Sequence, residues 1–416
     1  MIESASTPRE RAARQYIIEA FKGKMSSLIP FAFENESILK LAAYLLRHTT
    51  GSNATLYQYV FGVYRFSKWI KKTPDKIVKE SLLDRKILEQ YVTSLDDFIG
   101  DLQAEGLAPG TIANHVKGVK ALYRTNGVEI VIPYRLPRRN KYPDRSPTPE
   151  ELTKVLDTAN LREKVIVSLM ALGGFRIGTL VKLQYRHIRK DFEMETVPIH
   201  IHVEAEITKG KYHSYDTFVG AEAVEYLKAY IDLRQNGIGR LAPEPITDGS
   251  PIIRDAYSNR VRPITPGNIH HIVNTLYKKA GLIDPSKLEV RYPLRAHSIR
   301  KYFRTQLGAL NTMPTDYIEY MMGHTVSTYN DIKMKGIEFL RNLYASSGLS
   351  IKPKTKMSKI DQLKLIIEAW GMNPNEILSR EALSKPHRTI VDPEQETILV
   401  LNQALKQAII EELRST

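Results

Sequence analysis

His297, Arg300, His324 and Tyr329 crowd into one stretch, RAHSIRKYFRTQLGALNTMPTDYIEYMMGHTVSTY, residues 295–329. His297 and Arg300 are spaced i and i+3, so a helix would present them on one face. Guanidinium groups grip phosphate oxygens through paired, charge-assisted hydrogen bonds. Imidazoles move protons near neutral pH, and a tyrosine hydroxyl can serve as a nucleophile. Together these residue types suggest a phosphate-handling site. The competing reading is a chance cluster on a basic surface.

Two upstream segments add cations. SLMALGGFRIGTLVKLQYRHI, residues 168–188, reads as an apolar helix, a break at Gly173-Gly174, and a second helix opened by Arg176. In TVPIHIHVEAEITKGKYHSYDTFVG, residues Val197, Ile199, Ile201, Val203, Ala205 and Ile207 alternate with other residues, the period of a half-buried strand. TKGKYH then turns the chain into a second strand, giving a hairpin with Lys209 at its tip. His200 and His202 share one face of that strand and His213 sits across the hairpin. Three imidazoles near a turn admit a zinc reading, but no carboxylate or thiolate spacing completes it, and exposed-face histidines are the simpler account.

The rest of the chain must position these groups. Residues 1–31 read as a polar N-terminal arm with one helical patch. Residues 32–130 read as a helical domain, in which ENESILKLAAYLLRHTT, SNATLYQYVFGVYRFSKWIKKTP, a run over about 84–104, and APGTIANHVKGVKALYRTNG each carry helical apolar spacing. On the last of these, Lys117, Lys120 and Arg124 form one basic stripe, either a solvated face or a helix laid along a DNA backbone. Residues 131–147, including Arg138, Arg139 and Lys141, are proline-rich and basic, which suits an extended linker able to track phosphates. A second domain opens at the helix-start signature TPEEL and spans 148–350. Residues 351–416 read as a helical C-terminal extension with amphipathic segments.

Composition narrows the partners. Lysine and arginine outnumber acids by 14 over 416 residues, which favours a polyanion, nucleic acid first and an anionic membrane second. No apolar run reaches the roughly 18 residues needed to span a bilayer. The N-terminus lacks the apolar core of a secretory signal, so a cytoplasmic location is expected. The chain has no cysteine, which excludes disulfides, thiolate metal sites and a thiol nucleophile.

In order and context, GGFRIGTL, TKGK, HSIRKYF and MMGH resemble the motifs of the tyrosine recombinases, the family of phage-type integrases and Xer-like recombinases. Each motif alone is weak; four in order on the expected elements are much harder to reach by chance. The resemblance implies a mainly α fold with a small β-sheet: a helical core-binding domain followed by a mixed α/β catalytic domain. It implies that Arg176 and Arg300 hold the scissile phosphate, that Lys209 protonates the leaving 5′ oxygen, that His297 is a general base or proton shuttle, and that His324 bonds the phosphate. Tyr329 would attack and become a 3′-phosphotyrosine. No cofactor is implied. The partners would be double-stranded DNA and a homo-tetramer on two DNA sites, acting in integration or excision of a mobile element. A non-catalytic DNA-binding protein of the same fold and a type IB topoisomerase-like strand transferase are the alternatives. The sequence departs from the pattern twice. The family's nucleophile stands about nine positions after the second histidine, where this chain has Lys333, so Tyr329 at five and Tyr344 compete. Thr179 occupies a position where an acidic residue is common.

Overall fold

Helix-start residues punctuate the N-terminal half. Thr7 accepts the Glu10 N–H at the start of α1 (Pro8–Phe21), Thr73 accepts the Lys76 N–H at the start of α5 (Pro74–Leu83), and Asp84 accepts the Lys86 N–H at the start of α6 (Arg85–Ala104). Each cap satisfies an N–H that the first helical turn leaves without a partner. Between and after them lie α2 (Leu28–Phe33), α3 (Glu36–His48), α4 (Asn53–Ile70) and α7 (Pro109–Thr125). The computed structural model describes residues 7–23, 25–132, 136, 141–237, 242–284, 286, 291–326 and 331–352. The chain divides into two units, 1–349 and 350–416. The C-terminal extension therefore lies outside the described residues except at its start.

One apolar core runs from Ala13 to Val128. It corrects the expectation of an N-terminal arm: Ala13, Ile17 and Phe21 of α1 are buried in it, and α1 packs on α3 and α4. The polar face of PRERAARQYIIEAF masks an apolar stripe of four-residue spacing, and burying each large side chain of that stripe contributes about 1.5–3 kcal/mol. The segment PDKIVKESLL forms a further helix, α5, between two longer ones.

In the second half, Thr148 and Glu151 form a reciprocal capping box at α8 (Pro149–Thr158), and Asn160 and Glu163 do the same at α9 (Leu161–Leu172). Val165 through Leu172 are all buried, so this part of α9 is enclosed around its whole circumference and sits centrally, packed by α12 (Ala221–Asn236) and α14 (Ala296–Leu310). Short helices α10 (Ile177–Leu180) and α11 (Arg189–Glu193) follow α9, and α13 (Pro266–Lys279), α15 (Thr315–Met321) and α16 (Ile337–Ser347) complete the described helices.

The sheet is a two-stranded antiparallel hairpin. β1 (Ile199–Val203) pairs with β2 (Tyr215–Val219), Ile199 opposite Val219 and Val203 opposite Tyr215. The alternation read from Val197 to Ile207 overstates the strand. The ladder ends at Val203, and Ala205–Ile207 turn into a short 3-10 helix. Pairing, not alternation, ends the strand. Mainly α with one small sheet is the architecture expected.

The stretch joining the two halves is tied down at its C-terminal end. Asp144 meets Lys301 at 2.8 Å and Arg295 at 3.4 Å, while Arg145 forms a two-pronged pair with Glu151. Lys141 donates to the carbonyl of Gly106 at 2.6 Å. Arg138 and Arg139 lie outside the described residues.

Candidate active site

The site is assembled by one turn, Met322-Gly323, that collects two arginines from distant elements. Arg300, on α14, donates to the Met322 carbonyl, and Arg176, capping α10, donates to the Gly323 carbonyl at 3.0 Å. Consecutive carbonyls thus hold two guanidinium groups side by side. Gly323 is at φ +63, and a Cβ there would stand 2.5 Å from the ring of Tyr215, so only glycine fits. Gly174 is at φ +65 with Phe303 of α14 packed against it, and it swings the chain from the end of α9 toward Arg176.

Arg300 is 2% exposed. Its Nη1 is buried with no hydrogen-bond partner. Burial, together with the neighbouring charge of Arg176, pushes its guanidinium pKa down to about 10. Two cations are here held close in a poorly solvated place, with a donor uncommitted: an arrangement that awaits an anion. Tyr215, at the start of β2, lies under both arginines. Burial raises its phenol pKa, and Arg300 and then Arg176 pull it back part-way.

His324 follows the turn, its Nε2 at 3.2 Å from Arg300 Nη2. His297 lies one turn before Arg300 on α14 and faces outward. Desolvation first, then the charge of Arg300, lowers its imidazole pKa, which keeps the ring neutral and able to accept a proton near pH 7. Arg176, His297, Arg300 and His324 are therefore brought together. Lys209 is exposed on the bend between β1 and β2. Tyr329 lies outside the described residues.

Tyr344 is placed clearly. It is 2% exposed, its hydroxyl donates to the Leu172 carbonyl at 2.7 Å, and its ring lies 5.9 Å from that of Phe218. A phenol so committed would have to break out of the core to attack anything. Lys333, at the interval where the family has its nucleophile, donates to Ser214 at the foot of β2. Thr179 is buried in α10.

The histidines of β1 have their own partner. His200 Nε2 and His202 Nδ1 each lie 2.8 Å from Oδ1 of the buried Asp216, and Tyr320 donates to its Oδ2. Burial opposes ionisation of Asp216, but these bonds outweigh it and hold the carboxyl far below the usual range. The cluster ties the hairpin that carries Lys209 to α15, which leads to His324. Among the described residues, no group of three or more His, Cys, Asp or Glu side chains is arranged to hold a metal ion.

Away from this site, Lys117, Lys120 and Arg124 are exposed along α7 and line a groove of about 560 Å³ with Tyr59 and Ile130. The Arg124 guanidinium stands 5.8 Å from the ring of Tyr44.

Residues 147–334, which hold every side chain of the cluster, match the model of the phage integrase family. The chain carries a phage integrase family domain. Solved structures to which the chain is similar include that of XerA recombinase, at 20% identity over 76% of this chain and 100% of that one, TM-score 0.33. A lambda integrase (75-356) dimer bound to a COC' core site is 15% identical over 67% of this chain and 87% of that one, TM-score 0.47. XerH site-specific recombinase bound to palindromic difH substrate is 14% identical over 89% of this chain and 99% of that one, TM-score 0.47. No curated protein matches the sequence.

Sequence reasoning did not find Tyr215, Asp216, Glu319 or Arg304 of the phage integrase domain. A spacing signal existed for one: Arg304 is four residues after Arg300, on the same face of α14. Nothing in the sequence marked Tyr215, whose place beneath the arginines depends on how the hairpin packs.

Proposed function

We propose that this protein is a site-specific DNA recombinase that cleaves and rejoins strands through a 3′-phosphotyrosine, in the integration or excision of a mobile element. The observation that carries the reading is the pair Arg176 and Arg300, gathered on one turn with an uncommitted buried donor. A scissile phosphate placed there would have its non-bridging oxygens held by both guanidiniums. The charge that builds on phosphorus in the transition state would meet fixed cations rather than reorienting water.

In the proposed reaction, the Tyr329 hydroxyl attacks phosphorus and its proton passes to neutral His297. The bond from phosphorus to the 5′ oxygen breaks, and Lys209, reaching over from its exposed bend, gives the departing oxygen a proton. His324, in its protonated form, donates from Nε2 to a phosphate oxygen. A 5′ hydroxyl from a second strand then attacks the phosphotyrosine by the same steps reversed, so no high-energy cofactor is consumed. The burial of Tyr344 supports Tyr329 as the nucleophile. The helical half through residue 130 and residues 148–350 would clamp a duplex, with Lys117, Lys120, Arg124, Arg138, Arg139 and Lys141 on its backbone. Double-stranded DNA and a homo-tetramer on two sites are the proposed partners, in a cytoplasmic, nucleoid-associated setting.

The test is a nicked suicide DNA duplex incubated with the protein and resolved on a denaturing gel. Wild type and Tyr344→Phe, if folded, should form a covalent adduct; Tyr329→Phe should form none. Arg300→Ala should slow adduct formation by roughly 10²–10³-fold, the usual effect of removing a transition-state donor. An adduct that persists in Tyr329→Phe and disappears in Tyr344→Phe overturns the nucleophile. DNA binding with no adduct from wild type would favour a non-catalytic DNA-binding protein.

A further inference from the structure

A ring of side chains closes behind His324. Its backbone N–H donates to the Glu319 carbonyl at 3.0 Å, and its Nδ1 bonds Glu319 Oε2. Glu319 Oε1 in turn accepts from Arg304 Nε at 2.8 Å. Arg304 stands one turn after Arg300 on α14, so the circuit Arg300–His324–Glu319–Arg304 begins and ends on the same helix face.

The chemistry of the partners fixes where the proton of neutral His324 sits. A guanidinium has donors only, so at the 3.2 Å contact with Arg300 the Nε2 of His324 must be the acceptor. A carboxylate accepts only, so Nδ1 carries the hydrogen and gives it to Glu319. Burial works against the Glu319 charge, but the bonds from His324 and Arg304 outweigh it and hold its pKa below the usual range. The carboxylate is thus ionised at neutral pH. Left to itself, an imidazole has no such constraint and its ring can rotate or change tautomer.

We propose that Glu319 is a positioning residue: it holds the Nδ1–H of His324 so that Nε2 faces the phosphate pocket and, once the ring takes up a second proton, donates from Nε2 to a phosphate oxygen, while Arg304 holds the Glu319 carboxylate in place. This rests on the role given to His324 in the proposed reaction, and its test therefore includes a readout that needs no reaction. Ring ¹⁵N spectra of histidine-labelled full-length protein report the tautomer, with the signals of residue 324 identified by their loss in His324→Gln. In wild type the neutral ring should be the Nδ1–H form. In Glu319→Ala the Nδ1 hydrogen loses its acceptor, so the ring should turn away from Arg300 and take on the Nε2–H form in part, and adduct formation on the suicide substrate should slow about tenfold or more, in the direction seen when a catalytic histidine loses its orienting carboxylate. DNA affinity should stay within about twofold. Glu319→Gln, whose amide oxygen can accept the same bond, should restore the tautomer and most of the rate. If Glu319→Ala does not fold, Arg304→Ala should give a partial form of the same shift.

An unchanged tautomer in folded Glu319→Ala would end the proposal whatever the activity. So would a changed tautomer with an undiminished rate. Absence of any adduct from wild type would instead refute strand cleavage, and the spectra would still decide whether Glu319 holds the ring.

Discussion

Replacing Gly323 with alanine should damage the site from two directions at once. Gly323 sits at φ +63, a backbone region that costs an L-residue with a side chain about 1–2 kcal/mol. The new Cβ would also stand 2.5 Å from one edge atom of the Tyr215 ring and 2.6 Å from the next. Tyr215 is 1% exposed and cannot swing away, so the second effect is overpacking of a closed site, about 1–3 kcal/mol. Together they amount to about 2–5 kcal/mol, a large part of the 5–15 kcal/mol by which domains are typically stable. The carbonyls of Met322 and Gly323 carry both guanidiniums, so relief of the clash displaces Arg300 and Arg176 together. A misplacement of about 1 Å at such a site can slow chemistry by about 10²-fold. The assays are urea denaturation and single-turnover adduct formation on the suicide duplex. Combining Gly323→Ala with Tyr215→Leu should recover the overpacking part and leave the backbone part. If Gly323→Ala keeps both stability and rate near wild type, or if the double variant recovers nothing, the turn does not hold the arginines as described.

Further outcomes follow from other parts of the molecule. His115 is 1% exposed on α7 with neither ring nitrogen bonded, and burial first, then Arg65, depresses its pKa. The unfolded chain takes up a proton below about pH 6.5 that the folded chain refuses, so this group lowers stability as the pH falls below that value and is silent above it; His115→Phe should flatten the decline in melting temperature between pH 7.5 and 5. Glu244, 6% exposed, lies between the buried guanidiniums of Arg234 and Arg254, and Glu244→Gln leaves two buried cations facing each other, with an expected loss of about 3–5 kcal/mol by denaturant unfolding. Converting Lys117, Lys120 and Arg124 to glutamine should weaken binding to duplexes of any sequence alike and flatten the dependence of log affinity on log salt by about 0.9 per lost phosphate contact; an unchanged slope in gel-shift titrations would remove α7 from the DNA surface.

The sequence by itself determined the helices with strong caps and periods, such as α8 and α9, because their hydrogen bonds and apolar spacing are local. It also marked Arg176, His297, Arg300 and His324, which the fold brings together, since residue type and order suffice to flag groups suited to a phosphate. It erred where polar residues hid an apolar stripe, in α1, and where alternation ran on past the pairing partner, at the end of β1. Only the tertiary structure decided that Tyr344 is locked in the core, since burial depends on which helix α16 meets. Only it could close Arg304 and Glu319 around His324, or set Tyr215 beneath two arginines drawn from positions more than a hundred residues apart. Side-chain contacts across such distances follow from how elements pack, and spacing along the chain carries no record of them.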